Sequence, residues 1–185
     1  DFYVNGPVTF RIYGFNATST SGNLQLHSIS VDGLVLPVKV SCPTVSACPG
    51  DTVIVPVSVE NFNEIYSVNL TCSYDQNSLV FLDWNDPNTA LPNVNISNTP
   101  GHLNIDWSSI SSYTVGISTG TLLNLRFAYQ GGATGIVWDT TNNSSIVGDN
   151  FGNSFHPILE NGSVESSVLP FYVLSQPADV TINQG

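Results

Sequence analysis

The chain has 185 residues, of which 41% are apolar and only 9% are charged. Three Lys plus Arg residues stand against fourteen Asp plus Glu, which gives a formal net charge of −11. Nucleic acids and anionic membranes are bound through clustered Lys and Arg, so this charge argues against both as partners. No apolar run approaches the ~20 residues of a membrane-spanning helix, so no membrane insertion is expected. Because the chain has no Met and no basic segment before an apolar run, we expect a mature or excised protein.

Residues 1–37 predict about three β-strands that belong to a partial domain. Val8, Phe10 and Ile12 alternate with polar residues, and residues 24–31 show the same alternation. So few strands cannot enclose a core unaided. The run FRIYGFNATSTSGNLQLHSISVDG resembles the C-terminal end of a jelly-roll, carbohydrate-binding-like domain of secreted Bacteroidetes proteins. We therefore expect this segment to supply the C-terminal strands of such a domain.

The middle of the chain is organised around two alternating strands between Cys48 and Trp84. In residues 52–59 every second residue is a valine, and these valines share one face. Residues 61–64 read as a polar turn. Residues 68–74 then alternate again, with asparagine, threonine and serine on the outward face. This period of two predicts strands with one face in a core and the other in water.

Short motifs in this part of the chain follow the order of those in cohesin domains, the β-sandwich modules of cellulosome scaffolds and of many secreted bacterial proteins. The matching stretches are Pro49-Gly50-Asp51, Glu60-Asn61-Phe62, Ser73-Tyr74-Asp75, GHLNIDW at residues 101–107, residues 122–129 and residues 160–164. The chain thus resembles a cohesin over residues 38–166. The resemblance implies an all-β chain with a cohesin-like antiparallel β-sandwich of the jelly-roll type, flanked by partial β-domains.

The resemblance also implies a partner-binding face, because one sheet of a cohesin receives its dockerin partner. Outward polar side chains on the equivalent sheet of this chain are Asn69, Thr71, Ser73, Asn95, His102, Asn104 and Asp106. Many hydrogen-bonding groups and few charges suit a protein contact. The same composition also suits an ordinary solvated face, so both interpretations stay open. The expected partner is a dockerin-like module or a neighbouring subunit or domain.

Residues 167–185 form a linker followed by two short strand patterns. Phe171 and Val173 lie on one apolar face, and a second run covers residues 178–182. The words SQPADVT resemble the opening strand of an immunoglobulin-like domain in the same kind of secreted protein. The segment is either the start of such a domain or a strand exchanged with a neighbour.

Three cysteines leave one without a partner. Cys42 and Cys48 flank a short turn-like segment, which predicts a loop-closing disulfide in an oxidising compartment. Cys72 shares the inward parity of its strand and is expected to be a buried thiol. The spacing of the cysteines and histidines does not match a structural zinc site.

The sequence contains no pattern typical of a catalytic site. It has no nucleophile elbow, no zinc-protease helix and no P-loop, and its three histidines are far apart. Asp83 and Asp86 flank Trp84, which offers a weak sugar-hydrolysing or calcium-binding pattern, but aspartates in such segments are usually turn formers. We therefore expect no catalytic residue, no cofactor and no metal, with Asp83 and Asp86 kept as weak calcium candidates.

Two further features concern sugars. Trp84 is the tryptophan expected to be partly exposed, whereas the alternation around Trp107 predicts a core position. Thr52 and Thr140 follow aspartates in triplets that resemble the short O-glycosylation signal of secreted Bacteroidetes proteins. The predicted function is a non-catalytic module of a large secreted or cell-surface protein, serving adhesion, scaffolding or filament structure. The alternative is a carbohydrate-binding module or an accessory domain of a secreted hydrolase.

Overall fold

A computed structural model describes residues 36–110, 114–141 and 144–167. Within these ranges the chain forms twelve β-strands and no helix, which confirms the all-β expectation. The strands are β1 Lys39–Ser41, β2 Thr44–Ala47, β3 Thr52–Tyr74, β4 Leu79–Asn85, β5 Asn95–Thr99, β6 His102–Ser108, β7 Val115–Tyr129, β8 Thr134–Trp138, β9 Ile146–Asp149, β10 Ser154–Phe155, β11 Ile158–Glu160 and β12 Gly162–Ser166. Within the described ranges no helix is long and apolar enough to cross a membrane.

The long strand β3 belongs to both sheets of the sandwich. Its first half pairs with β7 and β1, and its second half pairs with β6, β8 and β9. The polar turn predicted at residues 61–64 is therefore wrong, because β3 continues through it. Asn61 and Glu64 have φ angles of 54° and 56°, and the register shifts between Phe62 and Ile65. Since Phe62 and Ile65 are fully buried, the irregularity redirects the strand without removing it from the core.

Two sheets share this strand and enclose one core. The first, here called the front sheet, runs β5-β6-β3-β8-β12-β2; β9 also pairs with β3, and β10 pairs with β9. The second, called the back sheet, contains β4, β7, β3, β1 and β11. Most pairs are antiparallel as expected, but β1–β11 and β12–β2 are parallel. Tyr74 of the front sheet meets Phe127 of the back sheet edge to face, with ring centroids 5.2 Å apart.

The core contains the inward residues that the alternation predicts. Every valine at the odd positions of residues 52–59 is buried, and so are Val68, Leu70, Cys72 and Tyr74. Burying one such aliphatic side chain stabilises the fold by roughly 1.5–3 kcal/mol. The parity of β3 therefore fixes which of its side chains face outward on each sheet.

Three other predictions lie outside the described residues or need correction. The terminal strands predicted in residues 1–35 and 168–185 fall outside the described residues. Residues 108–120 are rich in serine and glycine, a composition typical of a loop, but β7 already begins at Val115. Residues 140–153 are rich in asparagine, which is also typical of a loop, yet they contain β9, which pairs with β3.

Candidate partner-binding face

The front sheet brings all the predicted face residues together on adjacent strands. Three rows run across β3, β6 and β5: Asn69–Asp106–Asn95, Thr71–Asn104–Ser97 and Ser73–His102–Thr99. All of these side chains are exposed or half-buried, whereas the residues between them on β3 and β6 are buried. The alternation of each strand thus produces one continuous polar surface, called here the polar face.

Asn104 holds the centre of the polar face in a fixed arrangement. Its side-chain Nδ2 donates to Asn69 Oδ1 at 2.8 Å and to Thr71 Oγ1 at 3.0 Å. The backbone N of Thr71 in turn donates to Ser145 Oγ at 3.2 Å. Because these groups are already oriented, a partner would meet them without a further cost of ordering side chains.

Strands β8 and β9 extend the polar face with apolar side chains. Val137 pairs with Ser73, and Ile146 pairs with Asn69, so both lie beside the polar rows. Val137 is 44% exposed and Ile146 is half-buried. Sequence reasoning did not assign these two residues to the face, although the alternation in TGIVW places Val137 outward.

A turn after β9 presents an exposed phenylalanine at one end of the polar face. Asp149 Oδ1 accepts hydrogen bonds from the backbone N of Phe151 and of Asn153, each at 2.9 Å, and its Oδ2 accepts one from Asn153 Nδ2 at 2.8 Å. These bonds, that from the Asn153 side chain foremost, hold the pKa of Asp149 below its usual range. Phe151 remains 62% exposed. Sequence reasoning missed it because asparagine and glycine around it indicate a loop.

The charge of the polar face is neutral to acidic. Asp139 follows β8, and hydrogen bonds from Thr141 and from the Ser144 side chain keep the pKa of Asp139 below its usual range. The described part of the chain has two Lys or Arg residues, and both lie on the back sheet. Lys39 pairs there with Glu60 and Glu160, and Arg126 pairs with Asp83. A partner of the polar face would therefore meet no Lys or Arg side chain among the described residues.

A family model described as "Cohesin domain" matches residues 38–165. The chain belongs to the cohesin family. This match spans the whole two-sheet unit described above. It confirms the resemblance drawn from the short motifs, and it agrees with the β-sandwich fold of the structure.

Solved cohesins superimpose on this cohesin domain. CaCohA2 of Clostridium acetobutylicum, in a complex with CaDoc0917, has 27% identity and a TM-score of 0.63, covering 70% of this chain and 99% of its own. A scaffoldin B cohesin of Acetivibrio cellulolyticus, solved with a Cel5 dockerin mutant, has 23% identity and a TM-score of 0.62, covering 71% and 100%.

A non-cellulosomal cohesin of the archaeon Archaeoglobus fulgidus has 19% identity and a TM-score of 0.61, covering 72% of this chain and 93% of its own. At this low identity the similarity shows the fold alone. A search of curated proteins gives no match.

The weak calcium candidates of this cohesin are engaged with other groups. Arg126 Nη1 donates to both carboxylate oxygens of Asp83 at 2.9 Å, and Asn124 Nδ2 donates to Asp86 at 3.1 Å. Within the described ranges no cluster of three or more His, Cys, Asp or Glu residues could hold a metal ion. The geometry thus gives Asp83 a structural role in an ion pair.

The tryptophans of this cohesin pack inward rather than forming a sugar-stacking platform. Trp107 and Trp138 are buried, and their Nε1 atoms donate to Pro92 O at 2.9 Å and to Glu160 O at 3.0 Å. Trp84 is half-buried and packs against the core. Among the described residues no tryptophan is therefore displayed on the polar face.

The predicted Cys42–Cys48 disulfide is absent, because all three cysteines, which lie in the described ranges, are free thiols. The extended strand β2 separates the two residues, and six residues at ~3.3 Å each give about 20 Å, far beyond the ~7 Å limit for a bridge. Cys42 points into the core, whereas Cys48 Sγ lies 3.1 Å from Ser167 Oγ. Cys72 is a buried thiol as predicted, and burial raises its pKa to about 12.

The two threonines of the O-glycosylation prediction, Thr52 and Thr140, are both exposed. Thr52 begins β3 on the back sheet, and Thr140 follows β8 beside Asp139. Their modification stays a prediction.

Proposed function

We propose that this cohesin domain binds a dockerin module through the polar face, and that it serves as a non-catalytic scaffolding module. The observation that carries the proposal is the hydrogen-bonded centre of the face at Asn69, Thr71 and Asn104. Dockerins are the partners named in the complexes of similar cohesins. Secretion, attachment to a cell surface and a role in adhesion belong to the same proposal.

The proposed interface has a polar centre with apolar side chains at its edge. Val137 and Ile146 lie beside the polar rows, and Phe151 is exposed at the end of the adjoining hairpin. Aromatic residues that enter a partner's pocket supply a large share of the binding energy at such interfaces. In this arrangement the oriented amides and hydroxyls select the partner, while Phe151 and Val137 contribute apolar burial.

The charges of the face set the chemistry of the partner. Asp106 and Asp139 are exposed or half-buried near the rows, and no Lys or Arg of the described residues accompanies them. The complementary dockerin surface should therefore present hydroxyl groups and Lys or Arg side chains. Raising the salt concentration from 50 to 500 mM should then slow association more than it speeds dissociation.

The test compares two identical substitutions on the two sheets. Thr71→Arg places a long cation in the centre of the polar face, and Thr52→Arg places it on the back sheet at the start of the same strand. Dockerin modules encoded in the same genome, together with CaDoc0917, serve as binding probes in calorimetry. We expect at least a hundredfold loss of affinity for Thr71→Arg and less than a twofold change for Thr52→Arg.

Two outcomes contradict the proposal. If the unsubstituted chain binds none of the tested dockerins, a dockerin is not its partner. If the two substitutions lower the affinity equally, and circular dichroism shows both variants folded, the polar face is not the binding site. Binding to a glycan array in place of dockerin would favour the carbohydrate-binding alternative.

A further inference from the structure

The connection between β4 and β5 contains the single Asp-Pro sequence of the chain, Asp86-Pro87. Both residues are exposed, and Asp86 immediately follows the last residue of β4. The proline makes this bond a tertiary amide, whose nitrogen leaves more readily than an ordinary peptide nitrogen once it is protonated. An aspartate carboxylate is itself a nucleophile in many covalent reactions of proteins. The pair therefore places a nucleophile next to a bond that breaks easily.

The backbone at Asp86 is strained. Its φ angle is 49°, in the left-handed region that residues other than glycine rarely adopt. Aspartate tolerates this region better than most residues, but the ring of a following proline favours an extended conformation for the residue before it. These two requirements conflict at Asp86. The Asp86-Pro87 bond is thus held in a conformation that costs free energy.

The back sheet prevents this strain from relaxing, because the chain is anchored to β7 on both sides of the bond. Asn85 pairs with Asn124 in the β4–β7 ladder. On the other side, the backbone N of Asn88 donates to Leu122 O at 2.7 Å. Only two residues lie between these anchors. They must bridge from one anchor to the other, so the sheet fixes the conformation of the bond.

The carboxylate of Asp86 is held beside the same anchor. Its Oδ2 accepts a hydrogen bond from Asn124 Nδ2 at 3.1 Å. Within the described ranges its Oδ1 makes no hydrogen bond, which leaves this oxygen available as the nucleophile. A nucleophile that is fixed close to its target has already lost part of the motional freedom that would otherwise slow the reaction.

We propose that the chain cleaves itself at the Asp86-Pro87 bond. Oδ1 of Asp86 attacks the main-chain carbonyl carbon of the same residue and closes a cyclic anhydride. The bond from this carbon to the Pro87 nitrogen breaks, and the nitrogen takes up protons from solvent. Water then opens the anhydride and returns protons to solvent, which leaves two carboxylates on Asp86 and a secondary ammonium group on Pro87. The reaction occurs once per chain and acts on no external substrate.

The cleaved protein should keep its fold and its polar face. Strand β3 lies in the fragment that ends at Asp86, and it pairs with β6, β7, β8 and β9 of the fragment that begins at Pro87. The two fragments therefore stay together after cleavage, and dockerin binding should not change. The self-cleavage is thus independent of the proposed binding function.

The test follows cleavage of the purified full chain by mass spectrometry, after incubation in mildly acidic buffer with and without urea. We expect fragments 1–86 and 87–185. The folded chain should cleave roughly tenfold faster than the unfolded chain, which corresponds to ~1.4 kcal/mol of strain released in the transition state. Hydroxylamine in the buffer should be incorporated at Asp86 as a hydroxamate, because it intercepts the anhydride.

Three variants provide the controls. Asp86→Asn removes the nucleophile and keeps a side chain that tolerates the left-handed region, so it should fold and should not cleave. Pro87→Ala should also stop cleavage, because it replaces the tertiary amide. Asp51→Asn changes another exposed aspartate, one that no proline follows, and should leave the rate unchanged. No cleavage of the folded chain, equal rates in the folded and unfolded chain, or cleavage that persists in Asp86→Asn would each overturn the proposal.

Discussion

Removing the amide of Asn104 should weaken partner binding while the domain stays folded. Asn104→Ala deletes two hydrogen bonds, to Asn69 and to Thr71. Each such bond contributes ~0.5–1.5 kcal/mol net, and water can reach the half-buried partners afterwards, so we expect a loss of about 1–2 kcal/mol in the free energy of unfolding. For a domain of this size that loss lowers Tm by roughly 4–8 °C.

The folded variant should also bind its partner less tightly. Without Asn104, the side chains of Asn69 and Thr71 are no longer oriented before the partner arrives, and one direct contact is also lost. We expect the Kd for dockerin to rise at least tenfold, since ~1.4 kcal/mol of binding free energy corresponds to that factor. Calorimetric titration of the folded variant measures this change directly.

Asn124→Ala is the matched control for this experiment. Asn124 is also half-buried on a sheet surface, and its Nδ2 donates to Asp86 at 3.1 Å, but it lies on the back sheet. It should lower stability by about 0.5–1 kcal/mol and leave the Kd unchanged. The reasoning is refuted if Asn104→Ala binds as tightly as Asn124→Ala does.

Three further predictions concern the fold. A thiol reagent should modify Cys48 in the native protein and reach Cys42 and Cys72 only after unfolding. If the unfolded protein instead has a single titratable thiol, two of the cysteines form a disulfide. Gly162→Ala should cost ~1–3 kcal/mol in a denaturant titration, because its Cβ would lie 2.6 Å from that of Cys42; an unchanged midpoint would contradict this packing. The pKa of Asp149 is lowered by folding, so its stabilising contribution is full above its unfolded pKa of ~4 and is lost as the pH falls through the folded pKa. Carboxyl NMR titration should show this depressed pKa, and an ordinary value would mean that the turn is open.

Strand alternation made the polar face predictable from the sequence. A period of two assigns each residue of β3 and β6 to one side, so Asn69 and Asp106 could be placed outward without knowledge of the pairing. The family resemblance placed both residues on one sheet, whereas their pairing in one row depends on the register of β3 and β6. The alternation is a local signal that repeats along each strand.

The features that the sequence did not reveal depend on long-range pairing. Asn61 and Glu64 have the composition of a turn, but pairing with β7 carries β3 through them. Strand β9 is short and lies among asparagines, so only its pairing with β3 makes it a strand, and Phe151 is displayed as a consequence. The disulfide prediction was wrong because a spacing of six residues was interpreted as a loop, whereas β2 extends between the cysteines.

The most direct measurement of the central proposal is the footprint of a bound dockerin on the ¹⁵N-labelled chain. Amide shifts should change in β5, β6, residues 66–74 of β3 and the turn at Phe151, and the side-chain amide signals of Asn69 and Asn104 should move with them. The amide chemical shifts of β4 and β7 should not change. Shifts confined to β4 and β7, or no shifts at saturating dockerin, would contradict binding through the polar face.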